Sequence, residues 1–254
     1  SVRDVEKMNI DLFFPILKFM EKMMYRQSDK IVINNEGFRK YINRMIKNKP
    51  VLFLPNAFTE KEIGFEDAPD KFQVIYTGNI GFAQSYEKLQ EMAHKLEDNK
   101  INFKIIGYGM NAHLFQSYIE YNNFEYITFE EEKTREECLV EIRNSNIQLS
   151  ILKDSEVFLN VLPGKVIDGI ASGIPVVTNL GGYTSELINE YHVGYAKEKA
   201  TADELAEAIK QVKEDNQLES ALRNNAKNLL KSHFLWEENI EELEHFIFEK
   251  EFKR

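Results

Sequence analysis

Lys165 and Asp168 are the only charged residues in the stretch VLPGKVIDGIASGIPVV (161–177), and they stand three residues apart. On a helix that spacing makes them neighbours on one face. One chemistry open to them is a mutual ion pair, which at a surface is worth little. The other is ligand contact. A lysine at a helix N-terminus, here just after Gly164, suits a phosphate. A carboxylate one turn on suits a pair of vicinal sugar hydroxyls. Two more turns carry candidate residues. In YTGNIGFAQS (76–85), Gly78 and Gly81 bracket a turn whose backbone could approach an anion, although a tight turn needing positive φ also explains such glycines. In IIGYGMNAHL (105–114), Gly107, Gly109 and Ala112 match the dinucleotide fingerprint. That fingerprint belongs on the first strand of its domain and here falls on the second, which counts against a dehydrogenase.

These turns lie in a regular alternation. Strands are predicted at 72–78, 101–107, 125–129, 146–152 and 174–179, and helices at 84–98, 110–121, 134–144, 164–172 and 184–190. Strands alternating with helices, and continuously apolar rather than alternating, predict a parallel sheet covered on both faces. In such sheets ligands bind at the carboxyl ends of the strands, where the three turns fall. Before this region stand an amphipathic helix at 9–26, a strand at 30–34, a helix at 35–47 and a strand at 51–56. The first helix is expected to pack its apolar face on a core; the alternative is a membrane-surface helix rimmed by Lys18, Lys22 and Arg26. The charged, aperiodic stretch 57–71 reads as an interdomain linker. Helices at 201–214, 216–231 and 235–250 close the chain, the first with a capping box from Thr201 to Glu204.

Composition narrows the function. At 254 residues and 43% hydrophobic, the chain has room for one large or two smaller cores. A formal charge of −10 argues against a non-specific nucleic-acid binder, which needs a basic face. Cys138 is the single cysteine, so an intrachain disulfide is ruled out, and the five histidines are scattered. No run of about eighteen apolar residues predicts a membrane span. The chain begins with Ser1 rather than Met, so it is expected to be a piece of a longer protein. A cytoplasmic setting, with peripheral contact at the inner face of a membrane, is the expectation.

The order of these features resembles the large family of retaining glycosyltransferases with the GT-B fold, which includes bacterial capsule and O-antigen transferases. LPGKVIDGIASGIPVV is similar to its signature, VIYTGNIG to the start of its donor domain, GGYTSELI with Glu186 to its Gly-rich turn, and SHFLWEENIEELEHFI to its final helix. The resemblance implies an α/β fold: a doubly wound, Rossmann-like parallel sheet, with a partial N-terminal domain and a C-terminal crossover helix. Its implied divisions are 1–56, the remnant of an acceptor domain; 57–71, a linker; 72–232, the donor-binding domain; and 233–254, a helix returning to the first domain.

It also implies roles. Asp168 stands where the family's second Glu holds the ribose hydroxyls, and Asn160 where its first Glu contacts the transferred sugar. Asn79 and Gln84 stand near the usual Arg and Lys of the diphosphate site, so Lys153 and Lys165 are expected to supply the positive charge, as in the subgroup forming N-acetyl-amino-sugar linkages. Asn160 and Lys165 are the implied catalytic positions. Gly78, Asn79, Gly81, Gln84, Gly107, Gly109, Lys153, Gly164, Lys165 and Asp168 are the implied donor-binding set. The implied substrate is a UDP-linked sugar, with no cofactor and no metal, and the acceptor a glycan or lipid-linked glycan. The missing N-terminal part comes from a longer chain or a partner subunit, and nucleic acid is not a partner. An epimerase of UDP-N-acetylglucosamine on the same fold, and a non-catalytic partner subunit, remain as alternatives.

Overall fold

The computed structural model describes residues 13–248. Helix α1 (Phe14–Gln27) carries Pro15 in its first turn, where a missing amide costs nothing. Strand β1 (Ile31–Ile33), helix α2 (Phe38–Met45) and strand β2 (Val51–Phe53) follow, with β1 and β2 paired in parallel. A small core of Ile31, Ile33, Ile42 and Ile46 holds this unit together. The helix predicted at 9–26 is present from Phe14 onward, and residues 9–12 lie outside the described residues. Its core packing is slight: Tyr25 packs on the small core, but no residue of α1 is buried, and Phe19 and Met24 are 63% and 67% exposed.

The chain then crosses to the main sheet. Phe58 is 1% exposed and lies beside the returning segment: its amide donates to the Phe234 carbonyl, and the Trp236 amide donates to the Phe58 carbonyl, both at 2.9 Å. The two passages between the units thus run side by side.

Strand β3 (Gln73–Asn79) sends Val74 and Tyr76 to one apolar face and Ile75 to the other, the two-residue period of a strand. Such a strand must be covered on both sides. Helix α3 (Tyr86–Asp98), strand β4 (Asn102–Tyr108), helix α4 (Ala112–Asn122), strand β5 (Ile127–Glu130), helix α5 (Arg135–Arg143) and strand β6 (Ile147–Ser150) follow. A short 3-10 turn at Glu156–Asn160 leads into helix α6 (Gly164–Ala171), strand β7 (Val176–Thr178), helix α7 (Gly182–Glu190) and strand β8 (Gly194–Ala196). Helices α8 (Ala202–Glu214), α9 (Asn216–His233) and α10 (Trp236–Phe248) end the described chain. The six strands form one parallel sheet in the order β5-β4-β3-β6-β7-β8.

Helices α3, α4 and α8 pack Leu89, Met92, Phe115, Leu205 and Ile209 on the Val74–Tyr76 face. Helices α5, α6, α7 and α9 pack Ile142, Val166, Ile170, Leu187 and Leu229 on the other. Each fully buried Leu, Ile or Phe contributes about 1.5–3 kcal/mol. The predicted capping box of α8 is present, with Thr201 accepting from the Glu204 amide and Glu204 accepting from the Thr201 amide. A second one, Thr134 with Glu137, starts α5. The doubly wound parallel sheet is as the sequence predicts. Strand β8, three residues beginning with a glycine, and the 3-10 turn are not predicted by the sequence pattern.

Candidate functional site

Strand order reverses between β3 and β6, so the connections leaving these two neighbours diverge and open a crevice at their carboxyl ends. A cleft of about 490 Å³ lies there, lined by the ends of β3 and β6, the start of α5 and the first turns of α6. Its floor is set by Gly78. At φ +102° this residue occupies the left-handed half of backbone space that favours glycine. A Cβ on it would stand 3.3 Å from Lys165 Nζ.

Lys165 enters from the first turn of α6 and lies over the ring of buried Tyr76, Nζ to centroid 5.0 Å. The Tyr76 hydroxyl donates to the Asn79 carbonyl at 2.8 Å, fixing the ring beneath the ammonium. Lys165 makes no hydrogen bond or ion pair with another described residue, and burial drives its pKa down to about 8 despite the Coulombic pull of Asp168. Next to it the α6 N-terminus is open. Pro163 precedes the helix, the Gly164 and Lys165 amides have no acceptor among the described residues, and a Cβ at Gly164 would meet nothing within 4 Å. Free amides at a helix start, with the positive end of its dipole, favour an anion.

Asp168 faces the same cleft from one turn further along α6. Burial raises its pKa to about 6, against the opposing charges of Arg135 and Lys165. Its partner is not Lys165 but Arg135, Nη1 to Oδ1 at 3.4 Å. The other cation here, Lys133, is held by Glu130 at 2.6 Å and by Glu141. Lys165 is therefore the cation of the cleft that is left without a carboxylate among the described residues, and it sits beside unpaired amides. The arrangement fits a doubly charged diphosphate with a diol-bearing group alongside. No group of three or more His, Cys, Asp or Glu among the described residues is placed to hold a metal ion.

Residues 58–229, more than half of the chain, match the family described as glycosyl transferases group 1. The chain belongs to that family. An uncharacterized glycosyltransferase of Methanocaldococcus jannaschii is 23% identical over 223 residues, 88% of this chain and 60% of the relative. The chain thus spans about three fifths of the curated relative it matches. Solved structures share the fold. Sucrose-phosphate synthase of Thermosynechococcus elongatus superposes with a TM-score of 0.72 at 16% identity, covering 92% of this chain and 61% of that one. The pneumococcal O-GlcNAc transferase solved with UDP and GlcNAc gives 0.70 at 15% identity, covering 91% and 47%. An Anabaena protein, HepE, solved with UDP and glucose gives 0.71 at 14% identity, covering 91% and 66%.

In this family member the expected site residues divide. Gly78, Asn79, Gln84, Gly164, Lys165 and Asp168 all line the cleft. Gln84 is nearly buried and its side chain accepts the Gly81 amide at 3.0 Å, so it closes the turn that carries Asn79. Gly81 and Gly109 pack on Asn79: a Cβ would lie 2.8 Å and 2.1 Å, respectively, from Asn79 Oδ1. Gly107 sits inside β4, where a Cβ would press on Ile80 and Phe129, so its smallness serves packing.

Two residues correct the expectation, because neither is brought to the cleft. Lys153 is tied by its main chain to the Ala83 carbonyl, and its exposed side chain lines a separate cavity of about 150 Å³ with Asp154 and Glu198. Asn160 ends the 3-10 turn and lines a cavity of about 1070 Å³ among α1, β1, α2 and Trp236. Gly37 crowds its backbone there. The alternative reading of these two charges, a Lys165–Asp168 ion pair, is not what the structure shows: Asp168 pairs with Arg135.

Sequence reasoning missed Arg135 and Ser150. Arg135 opens a helix at the carboxyl end of a strand, which is the signal that could have found it. Ser150 closes β6, fully buried against the cleft, and its hydroxyl has no hydrogen-bond partner among the described residues. Asn179, also missed, ties β7 to β6 by a reciprocal pair with the Leu152 main chain, at 3.1 Å and 2.7 Å.

Proposed function

We propose that the cleft takes the nucleotide diphosphate of a sugar donor, and that this chain supplies the donor side of glycosyl transfer. The observation that carries the reading is Lys165, without an anionic partner, beside the open amides of α6 at the strand-order reversal. Uridine is the base we favour, because the pneumococcal and Anabaena neighbours were solved with UDP. Asp168 would accept from the ribose hydroxyls, and Lys165 with the α6 dipole would stabilise the departing diphosphate. Charge placed where charge develops is the main source of catalysis in such a step. Attack from the face the diphosphate leaves gives retention, and this chemistry draws on no metal and no cofactor.

The acceptor would be a glycan or lipid-linked glycan of a bacterial capsule or O-antigen, and the transferred group an N-acetyl-amino sugar. Lys153 would then reach the diphosphate, and Asn160 the transferred sugar, only if ligand binding rearranged their loops. The acceptor side would come from an N-terminal domain in a longer chain or from a partner subunit. The 60% coverage of the archaeal relative supports that incompleteness. The reaction would take place in the cytoplasm or at the inner membrane face; no described helix is long and apolar enough to cross a membrane.

Calorimetry with UDP tests the reading. Micromolar binding is expected, unchanged by a chelator, weakened at least tenfold by Lys165→Ala and several-fold by Asp168→Ala. Absence of binding in the parent chain, or binding by both variants as tight as the parent's, would sink it. Asn160 lying outside the cleft favours one second reading, a nucleotide-binding subunit that does not transfer. UDP release from a UDP-sugar in the presence of acceptor, or its absence, separates the two.

A further inference from the structure

Arg135 stands between the cleft and the passage that joins the two units of the chain. Its Nη1 contacts Asp168 Oδ1 at 3.4 Å, its Nε contacts Glu62 Oε1 at 3.3 Å, and its guanidinium carbon lies 4.8 Å over the Phe58 ring. Glu62 is itself fixed. Its second oxygen accepts from the Thr59 amide at 3.0 Å and from the Thr59 hydroxyl at 2.9 Å. Phe58 is fixed too, by the two backbone bonds to Phe234 and Trp236. Arg135 is therefore held on two sides by the crossing segment and on the third by the cleft.

We propose that Arg135 is a positioning residue for Asp168, shared with Glu62, through which the crossing segment sets how Asp168 meets a ligand. The proposal rests on the reading of Asp168 as the acceptor for a diol. The 3.4 Å contact engages one carboxylate oxygen and leaves the other for the ligand. Arg135 is 55% exposed, so its ion pairs add little stability. Their effect is on geometry and charge: a guanidinium drawn toward Glu62 leaves Asp168, and one released from Glu62 closes on it. The charged groups facing Asp168 are Arg135 from α5, Lys165 from its own helix and Glu62 from the crossing segment, with the titratable Cys138 thiol of α5 kept neutral by burial. Arg135 and Lys165 favour its ionised form, while Glu62 opposes it.

The test is an NMR titration of the Asp168 carboxyl carbon in the full chain, without ligand. The midpoint is expected to rise in Arg135→Gln and to fall in Glu62→Gln. Loss of folding would move both variants the same way; direct Coulombic action of each group already gives opposite signs, so the sharing is read from the double variant. With Arg135 already replaced by Gln, Glu62→Gln should move the midpoint by less than half as much as it does alone. Equal shifts in both backgrounds, or an unmoved midpoint in Arg135→Gln, would overturn the proposal. Binding supplies the second arm. Arg135→Gln should weaken UDP several-fold at pH 6.5 and less at pH 7.5, while inorganic pyrophosphate, which needs Lys165, binds as before. Equal weakening of both ligands also overturns it. A parent chain that binds neither UDP nor pyrophosphate refutes the donor reading, and the titration then decides the Arg135–Glu62 coupling by itself.

Discussion

Burial opposes charge on both Lys165 and Asp168, and the two are affected in opposite directions. The Lys165 pKa falls to about 8 and the Asp168 pKa rises to about 6. A diphosphate needs the lysine protonated, which holds below its folded value. A diol acceptor is best ionised, which holds above that of Asp168. Affinity for a UDP-sugar, whose diphosphate has no proton to lose near neutral pH, is therefore expected to be flat between about pH 6 and 8 and to fall on both sides, by up to tenfold per unit. Bound diphosphate raises the lysine pKa, so binding near pH 8 takes up a proton. Calorimetry in buffers of different ionisation enthalpy measures that uptake, and Lys165→Met should abolish it together with the alkaline limb. An alkaline limb that survives in Lys165→Met would move the titration to another group. These two residues were legible because each is a lone charge in an apolar run. Arg135 was not, because its partners lie 33 and 73 positions away and only folding assembles them.

Helix α6 and the turn after β3 form the site together, and two glycines separate their contributions. Gly78→Ala places a side chain at φ +102°, against Lys165. It should cost about 1–3 kcal/mol of stability in urea and also weaken UDP binding. Gly164→Ala meets nothing within 4 Å and should leave stability unchanged or raise it by about 0.4–1 kcal/mol. Its methyl would stand beside the open α6 amides proposed to hold the diphosphate, so UDP binding should still fall. If both variants lose stability and binding in proportion, the two elements have no separate roles. At this scale the sequence told most about the helix starts, where capping boxes write local rules into local residues. It told least about β8 and the 3-10 turn. Gly194 pairs against Val176, and a Cβ there would lie 1.9 Å from the Val176 carbonyl oxygen, so neighbouring backbone defines the strand. The 3-10 turn carries Asn160 away from Lys165, which spacing alone did not reveal.

The whole molecule is unevenly consolidated. The six-stranded sheet has a large core on each face, whereas the β1–α2–β2 unit has four buried isoleucines and a helix with none. Two paired strands are marginal by themselves. The class of the sheet was legible because buried parallel strands read as unbroken apolar runs. The packing of α1 was not, since amphipathicity tells that a face is apolar but not what meets it.

Trp236 adds an optical consequence. It is the single tryptophan of the chain, and it lines the large cavity beside Asn160, at the point where the returning segment bonds to Phe58. The cleft around Lys165 contains none. Indole emission should accordingly be blind to UDP and responsive at the joint. Acrylamide quenching is expected to stay constant as UDP fills the cleft, and to drop when a partner covers the α1 face. The protein thus carries a built-in gauge of one half of itself, with the other half dark.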